Sequence, residues 1–294
     1  MRPLTGTRVL VTGASGKIGV ETSRMLTAAG ALVTGLSLTE NPALTADRIL
    51  IGDTTSETDV ARALDGVDLV VHLSALAHRD IAPGFQVYST NVLSTYNVLA
   101  QAAQRGVTRA VVAGSINRNG IPQNVHDGIL PAYFPIDDNT PVDISDWYSL
   151  SKYNDENTSR MAWRHWGIDV ITLRFPHVNT EEGLLRHART VAENPSIGIR
   201  EGWSYLDVRD AARAIELSLT SDAHGAHAFY LAADHTIARS HTEDLLDEFA
   251  PNTPRLRHFV GREVPMDLTP AREIIGFRAQ HELDIDIDIE GERQ

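Results

Sequence analysis

The chain has 294 residues, 42% hydrophobic and 22% charged, with a formal net charge of −13 and no cysteine. That length supports one large α/β unit or two lobes with an ample core. The acidity argues against nucleic-acid and anionic-membrane binding, and the absence of cysteine excludes disulfides, thiol nucleophiles and Cys-ligated zinc.

No apolar run approaches the roughly eighteen residues of a membrane span. The N-terminal MRPLTGTRVLVTG enters a strand pattern without a signal-peptide core, so a soluble cytoplasmic protein is expected. Arg8–Thr12 (RVLVT) reads as the first strand, followed at once by Gly13-Ala14-Ser15-Gly16-Lys17-Ile18-Gly19. Ile18, Thr22, Met25, Leu26 and Ala29 then keep a helical apolar face, ended by Gly30. Strands are predicted at Ala31–Leu36, Arg48–Ile51 and Val67–Leu73, with a helix capped by Ser56 running to Leu64. A long helix from Phe85 to Arg105 leads to a fifth strand, Arg109–Ala113. A helix capped by Asp146 carries Tyr148 and Lys152 to about Trp166, and Asp169–Leu173 is the sixth strand.

Near-continuous apolar strands alternating with helices indicate an α/β fold, a doubly wound parallel sheet covered on both faces. Residues 1–175 form that domain, and 176–294 a small C-terminal substrate lobe, interleaved with sheet elements returning around 205–235. Helices are expected at Glu181–Glu193, Asp207–Thr220 and Arg239–Phe249, and a strand at Ala228–Ala232. Asp284–Glu290 alternates with period two and reads as an edge strand; no glycine-turn loop organises its acids, so no metal site is expected. His224 and His227 read as solvated turn residues.

Two patterns carry chemistry. Gly13, Gly16 and Gly19 after a first strand suit a tight turn, close approach to a pyrophosphate and close helix–strand packing, with the amides of the helix start facing the anion. Tyr148 and Lys152 are four apart and share one helix face, where a cation favours the phenolate a general base needs. Tyr and Lys at this spacing are common on helices, so the surrounding motifs decide. Of 26 cationic residues only Lys17 and Lys152 are lysines, and both fall inside these motifs. A compact ammonium is not interchangeable with a guanidinium fork.

TGASGKIG, Gly52-Asp53, His72-Leu73-Ser74-Ala75, Asn91-Val92, Ser115 and Tyr148-x-x-x-Lys152 stand in the order and spacing of the extended short-chain dehydrogenase/reductase family. The later Tyr205–Ala212 and Ala271–Phe277 resemble two further segments of that family, so the resemblance covers nearly the whole chain. It implies a Rossmann-type domain binding NAD or NADP. By this resemblance Ser115, Tyr148 and Lys152 are catalytic: Tyr148 exchanges a proton with substrate, Lys152 holds the nicotinamide ribose, and Ser115 bonds the reacting oxygen. Gly13, Ser15, Gly16, Lys17, Ile18 and Gly19 would cradle the dinucleotide. Asp53 would meet the adenine, Leu73, Ser74 and Ala75 would line the cofactor, Asn91 would order that site, and Phe175 to Val178 would approach the nicotinamide. One departure stands out: Ser37 occupies the position where NAD-using relatives place an acid at the end of the second strand. Lys17 is then a candidate to attract a 2′-phosphate, and NAD and NADP both stay open.

Trp203 follows Pro176 only 27 positions later, a short lid that suits a free sugar or sugar acid better than a nucleotide-linked one. In this the chain resembles the uronate and aldose 1-dehydrogenase branch, as does Ser115-x-x-x-x-Gly120. His78 and Asn117 are candidate sugar contacts, and Arg186, Arg189 and Arg200 candidate carboxylate clamps. A nucleotide-sugar epimerase or dehydratase is the alternative reading, and a non-catalytic dinucleotide sensor a third. The resemblance also implies a homodimer formed through the long helix and the Tyr148 helix.

Overall fold

The structure, a computed structural model, describes residues 3–285. In chain order its elements begin β1 (Arg8–Thr12), α1 (Lys17–Ala28), β2 (Leu32–Ser37), β3 (Arg48–Ile51), α2 (Glu57–Ala63), β4 (Leu69–His72), α3 (Gly84–Gln104) and β5 (Arg109–Ser115). They continue as α4 (Trp147–Trp166), β6 (Asp169–Phe175), β7 (His177–Asn179), α5 (Glu181–Glu193), β8 (Tyr205–Asp207), α6 (Val208–Thr220), β9 (Ala226–Tyr230), α7 (Thr242–Phe249) and α8 (Thr269–Ile275). Two 3-10 turns, Ile116–Asn119 and Pro195–Glu201, complete the set.

Seven strands form one parallel sheet in the order β3-β2-β1-β4-β5-β6-β9, the expected doubly wound architecture. Leu10 stands opposite Thr34 on one side and Val70 on the other. Because side chains alternate along a strand, Val9 and Val11 join Leu26, Ile171 and Ile215 on one face. Leu10 joins Val70, Val98, Leu99 and Ala162 on the opposite face. Each such fully buried aliphatic contributes on the order of 1.5–3 kcal/mol. The chain winds outward from β1 in one direction and from β4 in the other, so the switch point lies between their C-terminal ends, where crevices form.

Several boundaries differ from expectation for local reasons. β2 extends to Ser37, which pairs with Ile51, and β5 extends to Ser115, which pairs with Phe175. β4 starts at Leu69 because Val67 closes a turn onto the Leu64 carbonyl. α7 begins at Thr242 rather than Arg239, since the preceding loop is tied to residues 262–264: Thr236 N–H donates to the Arg262 carbonyl, and Val264 N–H to that of Asp234. β9 begins two residues earlier than predicted, at Ala226, opposite Val170. β7 and β8 pair with each other in parallel and were not predicted; at three residues each they leave no readable period.

A third buried cluster, including Phe134, Leu184, Trp203, Tyr205, Leu246 and Phe259, packs α5, α7 and the loops beside the C-terminal ends of the sheet. The predicted edge strand at 284–290 lies almost wholly outside the described residues. His224 is exposed, as read, but its Nδ1 lies 2.9 Å from an Asp169 carboxylate oxygen.

Candidate active site

β1 delivers Gly13 to the switch point with φ +65°, where a Cβ would stand 2.8 Å from both Leu73 C and Ser74 N. A Cβ on Gly19 would stand 2.3 Å from the Gly13 carbonyl oxygen, so glycine lets α1 sit directly on the turn. Gly16 is the N-cap of α1 and no side chain caps that end. The first amides are left for an anion, and the helix dipole favours one there. This cradle fits a dinucleotide pyrophosphate.

Beyond the turn lies a cavity of about 380 Å³ bordered by Gly13, Ser15, Ser37, Asp53 and Ser74. Ser37 Oγ accepts from Ser15 N–H at 2.8 Å, and Ser15 Oγ donates to the Thr39 carbonyl at 2.7 Å. No lysine or arginine is among its lining residues. Lys17 instead donates to Asn179 Oδ1 of β7, and burial and Arg186 lower its proton affinity. The expectation that Lys17 would attract a 2′-phosphate beside Ser37 is therefore corrected: Lys17 is spent on the lid side.

The wall shared by both halves of the cleft is Leu73 and Ala75. Thr12 Oγ1 accepts from the amides of Leu73 (3.2 Å) and Ser74 (3.3 Å) and contacts His72 Nδ1 at 2.8 Å. Burial and the neighbouring Lys152 depress His72 to about 3, so it is a neutral strut. Asn91 is fully buried and does not border the cavities. Its Oδ1 accepts from Leu76 N–H at 2.8 Å, and its Nδ2 donates to the Leu76 carbonyl and to Ser151 Oγ. It pins the cofactor wall to α4.

A second cavity, of about 490 Å³, is lined by Ser115, Tyr148 and Lys152 together with Ile18, Phe175 and Val178. Asp146 caps α4 by accepting from the amides of Tyr148 and Ser149, each at 2.9 Å, which fixes Tyr148 at the cavity floor. The Tyr148 hydroxyl has no hydrogen-bond partner among the described residues, and only 6% of the residue is exposed. Ser115 Oγ accepts from Asn117 N–H and from Asn117 Nδ2, both at 3.1 Å. With both lone pairs engaged, its own hydrogen is left to donate. Asn117 also lines the cavity, as does His78, whose Nδ1 accepts from Asp80 N–H.

Lys152 Nζ donates to the Ala113 carbonyl and to Asp155 Oδ2, each at 3.0 Å, leaving one of its three hydrogens. Burial disfavours the ammonium, but Asp155 and Tyr148 outweigh it and raise Lys152 above its ordinary value. Behind this pair, Glu156 accepts from Arg174 Nε (2.7 Å) and Nη2 (3.1 Å), locking α4 to β6.

The arginines proposed as clamps stand elsewhere. Arg200 donates to the carbonyls of Asn124 and His126, both at 2.8 Å, Arg186 pairs with Glu182, and none of the three borders the cavity. Sequence reasoning missed three residues that matter. Asp155 partners Lys152. His177 lines the cavity against His187, its ring centroid 4.4 Å away, and is held down to about 4 by burial, His187 and Lys17. Glu201 lines the roof, where burial pushes its carboxyl up to about 7. Asp155, at i+3 from Lys152, was the one visible in the sequence.

A model of the NAD dependent epimerase/dehydratase family matches residues 9–232. L-arabinose 1-dehydrogenase (NAD(P)(+)) of Haloferax volcanii is 30% identical over 204 residues, covering 64% of this chain and 78% of that protein. Uronate dehydrogenase of Pseudomonas syringae pv. tomato is 22% identical over 170 residues, covering 57% and 58% respectively. In fold, the chain is similar to a short-chain dehydrogenase/reductase superfamily protein from Agrobacterium tumefaciens with bound NAD, with TM-score 0.69, 23% identity and coverage of 97% and 95%. Glycine cradle, sheet order and family match converge: the chain belongs to the NAD-dependent epimerase/dehydratase family.

Proposed function

We propose that this protein oxidises a small free sugar or sugar acid at its anomeric carbon, releasing the lactone. The observation that carries the reading is the short lid: the turn at Pro195–Glu201 roofs the Tyr148 cavity itself, and the chamber of about 490 Å³ has to hold both the nicotinamide and the substrate. Likeness to L-arabinose 1-dehydrogenase over most of that protein's length supports it. Bound in the cleft, NAD or NADP supplies the hydride acceptor.

The chain's own residues do the rest. Tyr148 takes the proton of the anomeric hydroxyl as the C1 hydrogen leaves with its electron pair and the C1–O bond gains double-bond character. Ser115 donates to the same oxygen, its orientation set by Asn117. Lys152, kept charged by Asp155, presents its remaining hydrogen to the ribose and favours the phenolate. Ile18, Phe175 and Val178 exclude water around the transfer. Gly13, Ser15, Gly16 and Gly19 hold the pyrophosphate, and Asp53, Leu73, Ser74 and Ala75 the adenosine half. With no cation lining that half and a hydroxyl at Ser37, the lining favours NAD. Exposed Leu93 and Tyr96 on α3 and Leu150 on α4 support a homodimer through these helices.

Incubating the protein with aldoses, uronates and UDP-sugars and following reduced nicotinamide at 340 nm tests this. Net reduction on free sugars is expected. Redox-neutral conversion of a UDP-sugar would replace the proposal with an epimerase, a second reading favoured by 28% identity over 182 residues to a putative UDP-glucose 4-epimerase of Methanocaldococcus jannaschii.

A further inference from the structure

The roof of the Tyr148 cavity carries a carboxyl with no counter-charge among the described residues. Glu201 closes the 3-10 turn Pro195–Glu201. Its side chain accepts no hydrogen bond and forms no ion pair among the described residues, although it retains part of its surface toward the cavity. Glu201 is half-buried and its carboxylate oxygens are not sealed from the cavity, so they are free to accept the donors of a ligand that enters it.

The other titratable lining groups leave that partner's charge defined. Lys152 is committed to Asp155 and the Ala113 carbonyl. His177 is neutral, and His78 sits at the rim beside Asp80. Among the described residues no arginine lines the cavity. Arg200 is adjacent to Glu201 in sequence, but both its Nη atoms hold carbonyls of Asn124 and His126. This strap fixes the roof against the loop that contributes Pro122 and Gln123 to the same cavity. Glu201 is thus placed over the cavity by a neighbour that cannot neutralise it.

We propose that Glu201 is the specificity-determining residue of this pocket, accepting hydroxyl hydrogens of a neutral polyhydroxy substrate and excluding anionic sugars such as uronates. The proposal rests on the sugar-oxidation reading and narrows it from sugars and sugar acids to neutral aldoses. Above about pH 7, where the roof carboxyl has given up its proton, a substrate carboxylate or phosphate meets like charge with no unpaired cation among the described lining residues, whereas a sugar hydroxyl supplies the donor Glu201 lacks.

D-galactose and D-galacturonate differ only at C6 and make the test pair. Wild type and Glu201→Gln are compared by kcat/KM on both at pH 8, where the roof carboxyl is ionised, with the cofactor saturating. Sugar binding is measured calorimetrically to the same two proteins carrying Tyr148→Phe and loaded with NADH. Gln keeps the shape and removes the charge. The neutral-to-anionic ratio is expected to fall by about 10-fold or more in Glu201→Gln, through KM, and the binding ratio to follow. Turnover with a ratio unmoved by Glu201→Gln, or a wild type that prefers galacturonate, would overturn the role of Glu201 while leaving sugar oxidation standing. No turnover on either sugar, with galactose still bound in preference and that preference lost in Glu201→Gln, would keep the role of Glu201 and overturn the oxidation. Absence of any binding would overturn both.

Discussion

The two ends of the cleft are built on opposite plans. At the adenosine end, main chain does most of the work: Gly13, the uncapped start of α1 and the amides of Leu73 and Ser74 are positioned by parallel strands and by Thr12. At the substrate end, side chains from α4, two loops and the roof converge, and the charged ones are expensive to bury. Lys152 has a partner there, and Glu201 has none among the described residues. The first plan secures binding of a common cofactor; the second concentrates unmet electrostatic demand where an unfamiliar ligand arrives. Local satisfaction marks the cofactor end, and local deficit marks the selective one.

The sharpest way to separate the ends is Tyr148→Phe. Turnover should fall by about 10²- to 10⁴-fold while NADH affinity, read by fluorescence titration, stays unchanged. Equal loss of both would erase the contrast. Next in size is Asp155→Ala, which strands the buried ammonium of Lys152. Removing one partner of a buried pair costs about 3–5 kcal/mol, seen as a lower midpoint in urea, and Asp155→Asn should recover part of it.

Glu201 gives a pH-dependent effect of smaller size. Unfolded, it loses its proton near the ordinary 4.5; folded, it keeps it to about 7. Between these values the native state binds more protons than the unfolded state. The stability tied to Glu201 is therefore full below 4.5 and lost as pH rises through 7. Relative to wild type, Glu201→Gln should gain at most about 3 kcal/mol at pH 8, less where cavity water screens the charge, and nothing at pH 4. Urea denaturation at both pH values checks it. No pH dependence in the difference would mean that the roof carboxyl is already satisfied.

At the cofactor end Gly19→Ala drives a Cβ into the Gly13 carbonyl, costing about 1–3 kcal/mol and weakening NAD binding. Smallest is Ser37→Asp, which should raise the preference for NAD over NADP by about 10-fold without changing kcat on NAD.

The contrast also explains what could be read in the chain. Strand–glycine–helix succession is local, so β1, α1 and the cradle were legible residue by residue, as was Asp146 capping α4. Ser115 and Tyr148 were legible through the resemblance, which rests on the order and spacing of motifs along the chain, and the fold brings the end of β5 and the first turn of α4 to one cavity. Lys17 misled because a motif fixes its backbone, whereas its long side chain follows Asn179, 162 residues away. Arg200 and Glu201 are adjacent and both charged, and only tertiary packing decides that the arginine turns to a loop and the acid to the cavity. β7 and β8 define each other across 25 residues of lid, a pairing no local period announces.

Trp203 closes the roof two residues after Glu201. It is wholly buried, sits at φ +51°, and donates its indole N–H to the Pro195 carbonyl at 2.7 Å across the turn. Of the four tryptophans, Trp147 and Trp163 are exposed and Trp166 half-buried, so Trp203 alone should emit at the blue edge and resist iodide quenching. The roof thus carries its own optical reporter. Opening of the chamber to admit or release a ligand can be timed from iodide-accessible blue emission, with no label added.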